Sequence, residues 1–227
     1  MGDRTRTPYP YEDFRDRSGF GRHRAITSMP HAEHANFAKP GVETSKPAAY
    51  QQALASLASL CEGQRNWVCN LANAASLLWH LHHSLPPLPP RERESTTPPQ
   101  PGSGVNWAGF YVLDPSAPDR QLILGPFMGK VACQTIALGK GVCGTAAVGR
   151  DGSGRGETLL VRDVDAFPGH IACDGESRSE IVVPIRNANG KVVGVIDIDC
   201  AELDGFDDQD QKGLEAIADL LGQACDW

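Results

Sequence analysis

Seven cysteines, at positions 61, 69, 133, 143, 173, 200 and 225, are the residues of this chain best suited to chemistry. Three stand in glycine-flanked segments: Cys133 in GKVACQTI, Cys143 in GKGVCGTAA and Cys173 in FPGHIACDGESRSEIVVPI. Loops and helix starts of this kind expose a thiolate and stabilise it with backbone N–H groups, the setting of a nucleophile or a redox thiol. Cys61 and Cys69 fall in helical patterns, and Cys200 and Cys225 lie at element ends, so these four read as small packing residues. An odd number of cysteines, with no export signal ahead of them, argues against a disulfide scaffold of the secreted kind. A zinc site would have to join Cys133, Cys143, Cys173 and His170, whose spacing lacks the paired CxxC pattern.

A second constellation is acidic. Residues 186–191 read RNANGK, and Asn189-Gly190 is a strong signal for a two-residue type I′ hairpin turn. With that turn Ala188 faces Lys191, and counting back sets Glu180 opposite Asp199 and Val182 opposite Asp197. Alternation puts Asp197 and Asp199 on one face, about 6.5–7 Å apart, while Ile181, Val183 and Ile185 point the other way. Directly opposed like charges weaken a sheet unless solvent screens them, so the patch has the character of a cation site. An ammonium group is preferred to a metal because neither strand contains a histidine, although oxygen-only metal sites exist. Crowded carboxylates raise one another's pKa, which leaves one able to act as an acid near neutrality. Through its contact with Glu180, Asp199 is the expected proton donor.

Periodicity defines the elements that must position these groups. Ser45 can cap a helix with Pro47 in its first turn and Tyr50, Leu54, Leu57 and Cys61 on one stripe. A second helix spans 66–85 through Trp67, Leu71, Ala74, Leu78 and Leu81. His80, His82 and His83 near its end read as basic side chains at a helix C-terminus rather than as a metal cluster. Seven of the chain's 17 prolines crowd residues 86–101, which makes 86–104 a surface loop. Strands follow at Val105–Leu113, 121–125, 158–162, 179–185 and Val192–Cys200, with a short helix at Gly141–Val148. In the first of them Val105, Trp107, Gly109, Tyr111 and Leu113 share a face. A closing helix at 207–224 is capped by Asp207 and turns Leu214, Ile217 and Leu221 inward. This order predicts an α+β fold, a mostly antiparallel sheet with helices packed on one side. Residues 1–44 show no sustained pattern and are expected to be a disordered or loosely docked extension of a single domain at 45–227.

Composition bounds the function. With 227 residues, 41% hydrophobic and 22% charged, the chain suits one folded domain. A net charge of −7 argues against a nucleic-acid partner. No apolar run is long enough to span a membrane. The N-terminal stretch lacks the apolar core of a secretory signal, and Arg6 breaks the myristoylation pattern, so a cytoplasmic location is expected.

The segments NWAGFYVL, LILGPFMGKVACQTI, GKGVCGTAA, DVDAFPGHIACD, SRSEIVVPI and GVIDIDC, in this order, closely resemble the free methionine-(R)-sulfoxide reductases, which are stand-alone GAF-domain enzymes. The resemblance covers residues 47–227. It implies a GAF fold, with about six antiparallel strands flanked by helices, and thiol-dependent reduction of free L-methionine-(R)-sulfoxide without cofactor or metal. By the same resemblance Cys173 is the nucleophile, and Cys133 and Cys143 are two further redox cysteines, one of which closes a disulfide with it. Trp107 and Tyr111 match the aromatic wall around the substrate's methylthio group. Glu180, Asp197 and Asp199 match the substrate-binding carboxylates. Thioredoxin is the implied reductant, and a homodimer is compatible with the family. Residues 149–157 look like an insertion that puts the nearby loop geometry in question, and residues 1–44 have no counterpart. The alternative is a GAF module that senses a small ligand without catalysis. Such modules are usually joined to an output domain, and that reading leaves three loop cysteines unexplained.

Overall fold

Alternation along the central strands sorts the side chains of the sheet into two cores. In the computed structural model, which describes residue 37 and residues 45–86, 104–169 and 175–227, these strands are β1 (Val105–Leu113), β5 (Ser179–Arg186) and β6 (Val192–Cys200). Ala108, Phe110, Val112, Ile181, Val183, Ile185, Ile196 and Ile198 enter one core, beneath α1 (Lys46–Cys61), α2 (Trp67–Ser84) and α4 (Asp208–Ala224). Trp107, Tyr111, Val182 and Val195 enter the other, with Val142, Cys143, Ala146 and Ala147 of α3 (Gly141–Val148). Burying each large apolar side chain contributes about 1.5–3 kcal/mol, which makes the alternation decisive for register. The remaining strands are β2 (Gln121–Gly129), β3 (Thr135–Ala137) and β4 (Leu159–Val161). Together they form one six-stranded antiparallel sheet in the order β3-β2-β1-β6-β5-β4. The α+β expectation holds, with one difference: the helices lie on both faces, because apolar α3 covers the second core.

Local chemistry explains how the helices are held. Asn66 caps α2 by accepting from the Cys69 N–H, and Asp207 and Asp210 form a reciprocal capping box at the start of α4. Ser45 precedes α1 without a side-chain cap bond. Lys46 instead reaches across to Asp210 at 2.6 Å and Asp207 at 2.9 Å, tying α1 to α4. Fully buried Asp210 also accepts from the Tyr50 hydroxyl at 3.0 Å, and His82 Nε2 lies 3.2 Å from that hydroxyl. Burial lowers the His82 pKa to about 3, so this histidine is a neutral core residue and not the basic helix-end side chain expected of it. His80, near the same helix end, is exposed.

Three sequence expectations change in detail. Val105 pairs with Cys200 and Trp107 with Asp199, a one-residue shift that turns Val105 into the helix-side core and away from the face of Trp107. The strand expected at 121–125 is longer: β2 continues through Pro126 to Gly129. An irregularity opposite Phe110 absorbs the proline. Cys69 is exposed, whereas Cys61, Cys200 and Cys225 are buried packing residues as expected. Most of the expected N-terminal extension and of the proline-rich loop, together with His170 and Cys173, lies outside the described residues. Phe37, within that extension, is buried in the helix-side core. Among the described residues no helix is long and apolar enough to cross a membrane.

Candidate active site

The β5–β6 hairpin builds the floor of the site. Its turn is not the expected two-residue type. The Asn187 N–H donates to the Lys191 carbonyl, the Gly190 N–H donates to the Asn187 carbonyl, and Gly190 takes φ +76°. That is a three-residue loop ending in a left-handed glycine, which places Asn187 rather than Ala188 against Lys191. The ladder then slips by one residue between the pairs Arg186–Val192 and Ile185–Gly194. The two offsets cancel. Glu180 faces Asp199 and Val182 faces Asp197, as the sequence count expects.

Seven of the eight expected site residues line one cavity of about 170 Å³: Trp107, Tyr111, Cys133, Cys143, Glu180, Asp197 and Asp199. The eighth, Cys173, lies outside the described residues. Trp107 stacks on Tyr111 at 5.9 Å between ring centroids and on Phe127 at 5.3 Å. The polar tips of this wall hold the next loop: Trp107 Nε1 donates to the Lys130 carbonyl at 3.1 Å and the Tyr111 hydroxyl to the Cys133 carbonyl at 3.0 Å. The aromatic wall therefore positions the backbone of a cysteine as well as lining the cavity. Cys133 is disulfide-bonded, while Cys61, Cys69, Cys143, Cys200 and Cys225 are free thiols.

Burial sets the protonation of the floor. Glu180 and Asp197 are each 6% exposed and Cys143 is 4% exposed. Desolvation, then the charges of Asp197 and Asp199, push the Glu180 carboxyl well above the ordinary carboxylate range. Desolvation also raises Asp197, to about 6, against hydrogen bonds from Cys143 and Glu180 that favour its charged form. Burial thus favours the protonated form of Glu180 beside an Asp197 that ionises near pH 6, the kind of arrangement that separates proton donor from charged acceptor. Cys143, expected to be an exposed thiolate, is instead a buried neutral thiol in the first turn of α3. Desolvation and the charges of Asp197 and Glu180 raise its pKa well above the ordinary value. Its Sγ donates to Glu180 Oε1 over 3.9 Å. Among the described residues the buried Asp197 Oδ1 has no hydrogen-bond partner, an expensive condition unless a ligand supplies the donor.

Residues 103–226 match the GAF domain family. The chain is 48% identical over 199 residues to the free methionine-R-sulfoxide reductase of Saccharomyces cerevisiae, covering 88% of this chain and 96% of that protein. It belongs to the free methionine-R-sulfoxide reductase family. The Escherichia coli free methionine-R-sulfoxide reductase is 38% identical over 163 residues, with 72% of this chain and 80% of that protein covered. The Neisseria meningitidis free methionine-R-sulfoxide reductase, solved in complex with its substrate, superposes with a TM-score of 0.64. It is 35% identical, with 81% of this chain and 92% of that one covered.

Within this reductase family the chain's loop at 149–157 leaves the cavity intact. None of its residues lines the cavity, and the loop is tied down where Arg186 donates to the carbonyls of Arg155 and Gly156. Arg186 is six residues along β5 from Glu180, about 20 Å away. Of the zinc ligands considered from sequence, Cys133 is oxidised and Cys143 sits with carboxylates, so the described residues do not assemble that set. Sequence reasoning missed Gly109 and Phe127. A Cβ at position 109 would meet Trp107 Cη2 at 2.7 Å and Phe127 Cα at 2.8 Å, so glycine is what lets the indole lie over the strand. Gly109→Ala is expected to overpack this wall by about 1–3 kcal/mol, read as a lower denaturant midpoint. A wild-type midpoint would show that the wall yields freely.

Proposed function

We propose that this chain reduces free L-methionine-(R)-sulfoxide to L-methionine with a thiol nucleophile. The observation that carries the proposal is one small cavity with three carboxylates on its floor, an aromatic wall, and a disulfide-bonded cysteine on the loop that the wall holds. The names of the similar proteins point to the same substrate. A free amino acid is a zwitterion: Asp197 and Asp199 offer charge to its ammonium, and Lys140 with the N-terminus of α3, also lining the cavity, suits its carboxylate.

In the proposed reaction the Cys173 thiolate attacks the sulfoxide sulfur while a proton passes to the sulfoxide oxygen. The attack joins Sγ to the substrate sulfur. The protonated oxygen then passes to Sγ as that S–S bond and the substrate's S–O bond break, so methionine leaves with the two electrons that Sγ gives up and Cys173 becomes a sulfenic acid. Glu180 is the proton donor, in place of Asp199, because Glu180 is buried and held protonated whereas Asp199 is half-exposed. A neighbouring thiol then condenses with the sulfenic acid, releasing water and forming a disulfide. The disulfide at Cys133, beside a free and buried Cys143, favours Cys133 for this step. A dithiol protein of the thioredoxin type restores both thiols by exchange.

The testing assay follows reductant-dependent formation of methionine from each sulfoxide epimer. Turnover of the free R epimer and not the S epimer is expected; turnover of neither would overturn the proposal. Substrate binding should also depend on pH. Asp197 is charged above about 6 and neutral below it, whereas the ammonium stays charged throughout. The dissociation constant, measured on a Cys173→Ser protein that cannot turn over, is therefore expected to rise as pH falls through 6. A flat profile would remove Asp197 from ammonium binding.

A further inference from the structure

Among the described residues, the side chains that could hold a metal ion gather in one place: Cys143, Glu180 and Asp197, with one donor atom of each lying within 4.8 Å of the others. All three are buried, and three separate elements fix them. Glu180 and Asp197 stand on adjacent strands whose register is set by the β5–β6 ladder, and Cys143 is locked into the first turn of α3 against the same sheet face. Asp197, 6% exposed, lines the cavity, and its Oδ1 has no hydrogen-bond partner among the described residues. An oxygen in that condition calls for a cation or a donor from outside the chain.

We propose that these three residues form a binding site for a thiophilic divalent cation of the zinc class. A tetrahedral zinc ion places its sulfur and oxygen donors about 3.5 Å apart, from bond lengths near 2.3 and 2.1 Å. Cys143 Sγ and Glu180 Oε1 are already 3.9 Å apart, so small side-chain rotations close the set. One sulfur with two carboxylates selects zinc or cobalt over magnesium and calcium, which take oxygen ligands only. Three protein ligands leave the fourth position open to the cavity. On binding, the metal replaces the Cys143 thiol proton and the Glu180 carboxyl proton, and these two protons go to solvent. No electron is transferred. Given the proposed reaction, the same event removes its proton donor and its ammonium partner, so the ion and the sulfoxide exclude one another.

Cobalt(II) is the probe, because a thiolate ligand gives it a near-ultraviolet charge-transfer band. The protein used is the full chain with its disulfide intact and the exposed Cys69 changed to Ser, which leaves Cys143 as the thiol of the site. One cobalt ion per chain with that band, displaced by zinc, is expected. Cys143→Ser should abolish the band and weaken binding at least about 100-fold; Asp197→Asn should keep the band and weaken binding about 10- to 100-fold. No thiolate band, or a band that survives Cys143→Ser, overturns the site. Neither readout requires turnover. An inactive protein that shows the band would thus count against the reductase mechanism alone, and an active one without it against the metal site alone.

Discussion

Cys173→Ser is expected to abolish turnover of free methionine-(R)-sulfoxide, a loss of at least about 10⁴-fold in kcat. A serine hydroxyl at its ordinary pKa cannot replace the thiolate as nucleophile, and no other described thiol has the right setting. Cys143 is buried, neutral and hydrogen-bonded to Glu180. Cys61 and Cys225 lie in the helix-side core with pKa values raised by burial, and Cys200 is fully buried behind the sheet. Cys61→Ser and Cys225→Ser should therefore retain near wild-type kcat. Cys133→Ser separates attack from recycling: it should release one methionine per chain in a burst and then stop with dithiol reductant present. Residual steady-state turnover in Cys173→Ser above about 1% of wild type would remove the nucleophile assignment. Multiple turnovers by Cys133→Ser with a protein dithiol would remove the resolving one.

The carboxylate floor was legible in the sequence because strand alternation is a strict period-two rule that buried Ile181, Val183 and Ile185 enforce. The hairpin signal at Asn189-Gly190 led to the right cross-strand pairs through a turn of the wrong length, since the slip beside Val193 compensated for the longer loop. Only tertiary packing could reveal that slip. The same holds for Pro126. A Gly-Pro pair is a local stop signal, and the irregularity in β1–β2 that accommodates it brings Phe127 against Trp107. Protonation was the least legible property. Alternation alone treats Glu180, Asp197 and Asp199 as equals, and the position of α3 decides which of them lose water. That helix also carries Cys143 inward, turning an apparent loop thiolate into a buried thiol. His82 escaped for a similar reason, because its partner Tyr50 lies 32 residues away on α1.

Charge-neutral substitutions of the three acids are expected to separate proton delivery from ammonium recognition. Asp197→Asn and Asp199→Asn each remove a charge-assisted hydrogen bond to the substrate ammonium, worth about 1.5–3 kcal/mol, or about 10- to 150-fold in kcat/KM. An N-acetylated sulfoxide carries no ammonium, so the same variants should lose little on that already poor substrate. Glu180→Gln behaves differently. The glutamine amide keeps a neutral hydrogen-bonding side chain in the buried position but cannot release a proton, so kcat should fall by about 10²- to 10⁴-fold on both substrates alike, with little change in binding. The contrast follows from burial: desolvation holds Glu180 protonated beside an Asp197 that ionises near pH 6. If Glu180→Gln lost only the free amino acid, Glu180 would be an ammonium ligand, and the donor would have to be sought at Asp199. If all three variants kept wild-type kcat/KM on the free sulfoxide, the acids would take no part in the reaction, and the unpartnered Asp197 oxygen would have to be explained by another ligand.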